Sequence, residues 1–180
     1  MKALTAPLYE LAEFEEGQSL LKKEKASIGY TGCTDAQKLH LACGLSEDFL
    51  YKVIVTHSDL RAREIYEEYL FYDKSTVLYP AKDLIFYQAD IHGNQLVADR
   101  MKVLRKLIEG RPVTVVTTFA ALMSPQVPLE EIADAVIHID TDSAVDETEL
   151  AEQLSRRGYE KNWQVEAPGQ FSIRGGIIDV

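Results

Sequence analysis

The chain reads as an α/β protein built on a parallel sheet and followed by a small α+β module. Three features of its pattern point there. Two β-branched runs, Tyr51–Thr56 and Val113–Thr117, have the apolar character of strands buried in a parallel sheet. Between them Val97, Met101, Leu104 and Ile108 recur at four, three and four residues, the spacing of one buried helical stripe. Strand-like and helix-like segments alternate until about Pro128, the rhythm of a parallel sheet with helical crossovers.

The elements follow in order. Leu8 to Leu21 is an acidic helix candidate broken near Gly17, and Ala26 to Tyr30 a short strand candidate. A helix is expected from about Asp35 to Cys43, then the strand Tyr51–Thr56. Ser58 or Asp59 can cap the next helix, which runs to about Tyr72 with Leu60, Ile65 and Tyr69 as core contacts. Ser75 to Tyr79 reads as a strand stopped by Pro80. The aperiodic stretch from Ala81 to Gly93 carries Phe86, Tyr87 and His92, more aromatic character than a solvated linker needs. The striped helix spans Asn94 to Glu109. Gly110 suits the left-handed position beyond its end, and Arg111-Pro112 prevents continuation.

Past Pro128 the expected elements are a strand from Ala135 to Ile139 and a helix capped by Asp146, with Glu149 placed to reciprocate. Leu150 and Leu154 face inward on that helix, and Gly158 ends it. Strands Asn162–Glu166 and Gln170–Arg174 would then pair as a hairpin through Ala167-Pro168-Gly169. The sequence stops at Ile177-Ile178-Asp179-Val180, in mid-strand by pattern, as a piece of a longer polypeptide would. Residues 1–126 are therefore taken as the sheet domain and 127–180 as the second, incomplete module.

A hydrophobic content of 46% with nine Tyr, six Phe and one Trp supports a packed core. The apolar runs are too short to span a bilayer, and Met1 to Glu10 lacks a signal-peptide core, so a cytoplasmic protein is expected. The net charge of −10 and pI near 4.9 argue against a dedicated nucleic-acid binder, whose phosphate contacts need Lys or Arg. Lys22, Lys23 and Lys25 interleave with Glu24 and make a weak basic patch.

Residues 29 to 36, Gly-Tyr-Thr-Gly-Cys-Thr-Asp-Ala, match a phosphate-binding loop whose chemistry has been removed. The working pattern is Gly-x-x-x-x-Gly-Lys-Ser/Thr. Gly29 and Gly32 remain, but Thr34 replaces the second glycine, Asp35 the lysine and Ala36 the hydroxyl residue. A carboxylate in the lysine's place repels polyphosphate. By itself the match does not separate an inherited loop from an ordinary glycine-containing turn.

Other candidate sites have simpler explanations. Cys33, His40 and Cys43 offer only three metal ligands, and small buried hydrophobes with a surface imidazole account for them. His57, His92 and His138 lie in separate segments without the partners that nucleophilic catalysis needs. Asp140, Asp142 and Asp146 lack the glycine and distal glutamate of a calcium loop. In the last strand pair, period-two alternation puts Phe171 and Ile173 on one face, and Ser172 and Arg174 on the other. Arginine on an outward face is either a solvated charge or a protein-binding anchor, and pattern alone favours the solvated charge.

The stretch Tyr159-Glu160-Lys161-Asn162 through Phe171-Ser172-Ile173-Arg174-Gly175-Gly176-Ile177-Ile178-Asp179 resembles one shared by two bacterial repair families, the excinuclease B subunit and the transcription-repair coupling factor (the Mfd family). The eroded loop, the strand Val53-Ile54-Val55-Thr56, and Val113 to Thr117 before Thr118-Phe119-Ala120-Ala121-Leu122 occur in the same order. The B subunit hydrolyses ATP and keeps its Gly-Lys-Thr, whereas this chain has Thr34-Asp35-Ala36. The resemblance is therefore to the coupling factor, whose N-terminal region copies the repair subunit without its ATPase function.

That resemblance implies a degenerate RecA-like domain that binds no cofactor and performs no catalysis, joined to a module that docks on the excinuclease A subunit (UvrA). It places the docking contacts at Lys161, Ser172 and Arg174, with Ser172 standing where the B subunit has an arginine. RNA polymerase and double-stranded DNA are partners of domains absent from these residues. Two other readings are a divergent phosphate-loop hydrolase, which predicts ATP binding, and a DNA-handling module, which predicts salt-dependent association with DNA.

Overall fold

Two β-branched runs find each other and set the architecture, which is α/β. The computed structural model describes residues 2–23, 26–82 and 90–180, apart from the side chains of residues 2 and 90–94. Strands β1 (Tyr51–Thr56), β2 (Val77–Tyr79) and β3 (Val113–Thr118) form a sheet of order β1-β3-β2. β1 and β3 are parallel, with Tyr51 opposite Val113 and Thr56 opposite Thr118. By compactness the chain divides into two units, Met1–Leu78 with Arg111–Phe119, and Tyr79–Gly110 with Ala120–Val180.

The first unit contains helices α1 (Lys2–Thr5), α2 (Ala12–Leu21), α3 (Asp35–Leu45) and α4 (Asp59–Tyr69), with a 3₁₀ turn at Ala6–Glu10. Ser58 caps α4, its Oγ accepting from the Arg61 N–H at 3.3 Å. The core gathers Leu39 and Cys43 of α3, Ala62, Ile65 and Tyr69 of α4, and Val116 of β3. β3 is buried along its whole length, as befits a central strand, whereas β1 leaves Tyr51, Val53 and Val55 exposed at the sheet edge. Asp73 anchors the exit of α4. Its carboxylate accepts from Lys52 Nζ (3.1 Å), Thr114 Oγ1 (2.7 Å), and the Ser75 N–H (2.9 Å) and Oγ (2.6 Å). α3 packs closely on the N-terminal segment. A Cβ at Gly44 would come within 2.5 Å of Leu8 Cδ1 and 2.9 Å of Phe14 Cζ.

The second unit holds α5 (Asp90–Ile108), α7 (Leu129–Asp134) and α8 (Glu147–Arg156), the short α6 (Phe119–Leu122) lying at the division. Strands β4 (Glu160–Lys161), β5 (Gln170–Arg174) and β6 (Ile177–Asp179) form a second sheet of order β4-β5-β6. Asp146 caps α8, its Oδ1 accepting from the N–H groups of Thr148 (2.8 Å) and Glu149 (2.9 Å). Leu150, Leu154 and Phe171 form the core, with Ile137, Tyr159, Ile173 and Ile178 packed against it. The guanidinium of Arg100 is buried over the Tyr79 ring, 4.0 Å from its centroid, and donates to the Pro80 carbonyl at 2.8 Å. No helix among the described residues is long and apolar enough to cross a membrane.

Several sequence expectations are corrected. α2 runs unbroken through Gly17, because the missing Cβ leaves room for the Tyr30 hydroxyl against the helix. Ala26 to Tyr30 joins no sheet. Only Ile28 and Tyr30 there favour a strand, and Ala26, Ser27 and Gly29 do not. Leu60 is 71% exposed in the first turn of α4, while Ile65 and Tyr69 are buried as expected. On α5 the buried residues include Arg100, Val103 and Leu104, and Val97 and Met101 are exposed. The stripe is therefore rotated from the face that apolar spacing alone selects.

Ala135 closes the turn after α7, and residues 136–139 form no strand. Glu149 accepts from Gln153 Nε2 at 3.2 Å. The expected hairpin of 162–166 with 170–174 is replaced by two other pairings. β4 lies parallel to β5, with Lys161 opposite Phe171, and β5 and β6 form the antiparallel hairpin around Gly175-Gly176. Both glycines have positive φ (56° and 85°), which makes so tight a return possible. Phe86 and Tyr87, Glu24 and Lys25, and the His92 side chain lie outside the described residues.

Candidate functional site

The stretch read as an eroded phosphate loop ends in a helix cap. Thr34 is the N-cap of α3 and forms a capping box with Gln37. The Thr34 N–H donates to Gln37 Oε1 at 2.8 Å, and the Gln37 N–H donates to Thr34 Oγ1 at 3.4 Å. A working phosphate loop instead leaves backbone N–H groups at its helix start free to meet the ligand. Asp35, in the lysine's place, accepts from Lys38 Nζ at 2.9 Å and pairs with Arg61 Nη2 at 3.2 Å. The hydrogen bond and charge of Lys38, aided by Arg61, hold the Asp35 carboxyl below its ordinary range. Gly32 adopts φ 76°, Gly29 lies in open space, and Ala36 is the next residue of α3. The Thr-x-x-Gln spacing of the box is the local sequence signal for this cap. Arg61 lies on another helix, and no local signal connects it to Asp35.

The three candidate metal ligands do different things. Cys33 Sγ lies 3.8 Å from the Thr31 carbonyl, and Cys43 belongs to the core, where burial pushes its thiol pKa up. His40 Nε2 meets the Leu4 carbonyl at 2.6 Å, and its ring stacks on Tyr72 at 5.9 Å. His57 and His138 are exposed. In the acidic loop, Asp140 Oδ1 accepts from Ser143 Oγ (2.7 Å) and the Asp142 N–H (3.0 Å), so its carboxylate is engaged in a turn.

The second unit carries the candidate docking face. Strand register places Ser172 opposite Asp179 and Arg174 opposite Ile177, so these four share the face turned away from Phe171, Ile173 and Ile178. Arg174 is exposed, and its Nη2 donates to Asp179 Oδ2 at 2.7 Å. Ile177 is also exposed. Lys161 is exposed on the edge strand β4, but its register partner is Phe171, so it lies off the face that carries Arg174. Ser172 departs from the expected outward presentation, being only 1% exposed. Its hydroxyl donates to the Trp163 carbonyl at 3.0 Å, and the returning chain covers it.

The structure thus brings Arg174 together with Asp179 and Ile177, and withdraws Ser172 to a supporting position. Trp163 was missed by sequence reasoning, although it is the sole tryptophan of the chain.

The model of the UvrB interaction domain family matches residues 137–180. The transcription-repair-coupling factor of Bacillus subtilis (strain 168) is 33% identical over 129 residues, 71% of this chain and 11% of that protein. The protein of the same name from Staphylococcus haemolyticus is 27% identical over 130 residues, again 71% and 11%. That of Staphylococcus epidermidis (strain ATCC 12228) is 24% identical over 136 residues, 74% and 12%. The chain therefore spans about a tenth of the length of the curated relatives it matches.

Proposed function

Because this chain belongs to the transcription-repair coupling factor family, we propose that it is the amino-terminal recruiting segment of such a factor. It delivers the excinuclease A subunit to transcription-coupled nucleotide excision repair and performs no catalysis itself. The observation that carries this reading is Arg174, exposed on the outward face of the β5–β6 hairpin within the stretch matched to an interaction domain. A guanidinium presented from a strand offers planar donors to carboxylates of a partner, and arginine is a frequent binding hot spot. Lys161 is a second exposed cation at the edge of the same sheet, off the face that carries Arg174. Ser172 supports the face from beneath. RNA polymerase and double-stranded DNA would be engaged by other parts of the polypeptide.

The competing reading, a divergent nucleotide hydrolase, conflicts with the phosphate loop. The Thr34 N–H is occupied, and the side chain in the lysine's place is anionic and already paired. Calorimetric titration with purified excinuclease A subunit tests recruitment. Arg174→Ala should weaken binding by about 2 kcal/mol, roughly thirtyfold. Equal affinity of variant and wild type would remove Arg174 from the interface.

A further inference from the structure

We propose that Trp163 is an aromatic anchor of the docking face, inserting into an apolar pocket on the excinuclease A subunit; this rests on the recruitment reading above. Among the described residues Trp163 is the most exposed large hydrophobic side chain, at 86%. A single exposed apolar residue is ordinary on a protein surface, so exposure alone carries little. What distinguishes Trp163 is how its backbone is held. The Glu160 N–H donates to the Gly169 carbonyl at 2.8 Å, and the Asn162 N–H to the Phe171 carbonyl at 2.8 Å. One residue on, the ladder continues through a side chain, as the buried Ser172 hydroxyl donates to the Trp163 carbonyl. The indole is thus displayed from a fixed backbone.

The occupant follows from continuity. Trp163 lies two residues after Lys161, and Ser172 connects it to the strand that carries Arg174, all inside the stretch 137–180. An exposed apolar ring on preorganised backbone, joined through Ser172 to the strand that presents Arg174, has the make-up of an interface anchor with a charged neighbour. The indole loses little conformational freedom when it docks, because few torsions remain to be fixed. Arg174 would meet a carboxylate of the same partner and fix the register of the contact.

The test is titration of the 180-residue chain with purified excinuclease A subunit, comparing wild type, Trp163→Ala, Trp163→Phe and Arg174→Ala, with circular dichroism to verify folding. Trp163→Ala should raise Kd at least about tenfold, and Trp163→Phe should recover part of that loss. In wild type labelled with 5-fluorotryptophan, the single fluorine resonance should shift on saturation with partner. If Trp163→Ala binds as wild type does while Arg174→Ala is weakened, the anchor is refuted and recruitment stands. If wild type itself does not bind, both fall. Concentration-dependent self-association in sedimentation, abolished by Trp163→Ala, would assign the ring to a second copy of this chain and overturn the proposal.

Discussion

Arg174 and Asp179 form an ion pair across the β5–β6 hairpin at 2.7 Å, diagonal to the strand register that sets Arg174 opposite Ile177. Both side chains remain close to half exposed. Water and salt screen such a pair, so its contribution to folding is small. Its structural effect is to fix the guanidinium while occupying one of its two amino groups, leaving donors for a partner. A double-mutant cycle of Arg174→Ala and Asp179→Ala in urea unfolding should give a coupling below about 1 kcal/mol. The coupling should shrink further as sodium chloride is added. A coupling of several kcal/mol would make the pair a fold determinant, and its presence on the docking face would then need no partner to explain it.

Ser172 acts through Trp163. Replacing it with alanine removes the one side-chain donor to the Trp163 carbonyl from a site that is 1% exposed. The loss should lower stability by about 1 kcal/mol, the usual net value of such a bond. Destabilisation alone would not separate packing from positioning. The sole tryptophan supplies the distinguishing readout. Time-resolved fluorescence anisotropy of Ser172→Ala should show a faster, wider local motion of the indole than wild type. Identical anisotropy decays would confine Ser172 to a packing role.

Asp73 couples the first unit to pH. Burial opposes its charge, but hydrogen bonds from Ser75, Thr114 and Lys52 outweigh burial and hold its carboxyl well below its ordinary 3.8. The unfolded chain takes up the proton first as pH falls. The stabilisation is therefore complete above about pH 4 and drains away below it, towards the folded pKa. Asp73→Ala leaves Lys52, only 16% exposed, without this carboxylate. The variant should lose about 3 kcal/mol at neutral pH and show a shallower decline in acid. Urea unfolding at a series of pH values measures both; an acid limb as steep as that of wild type would move the effect to other carboxylates.

Much of this fold is written locally, and what is not depends on distant partners. β1 and β3 are legible because β-branched apolar runs favour buried strands. The caps at Ser58 and Asp146 are legible because a short polar side chain must take up free N–H groups at a helix start. The pairing of β4 with β5 was missed because the decisive bonds join residues on either side of an irregular loop. Alternation correctly turned Arg174 outward and Phe171 inward. It could not report that the chain at Trp163 returns over Ser172, nor that Arg61 comes to Asp35 from a different helix.

The loop at residues 29–36 yields the last prediction. A nucleotide entering here would have to displace the Gln37 side chain from the Thr34 N–H and bring its phosphates against Asp35. A ligand present at ten times its Kd stabilises a protein by about 1.4 kcal/mol, which moves the melting temperature by several degrees in a chain of this size. Addition of about 1 mM Mg-ATP should move it by less than about 1 °C, so no affinity near 100 µM or tighter is expected. Asp35→Lys should not rescue binding, because the capping box still occupies the Thr34 N–H and the strand that precedes a working loop does not form. It should instead lower stability slightly by losing the pairs with Lys38 and Arg61. A saturable rise in melting temperature with Mg-ATP, abolished by substitution at Gly32 or Thr34, would restore the hydrolase reading.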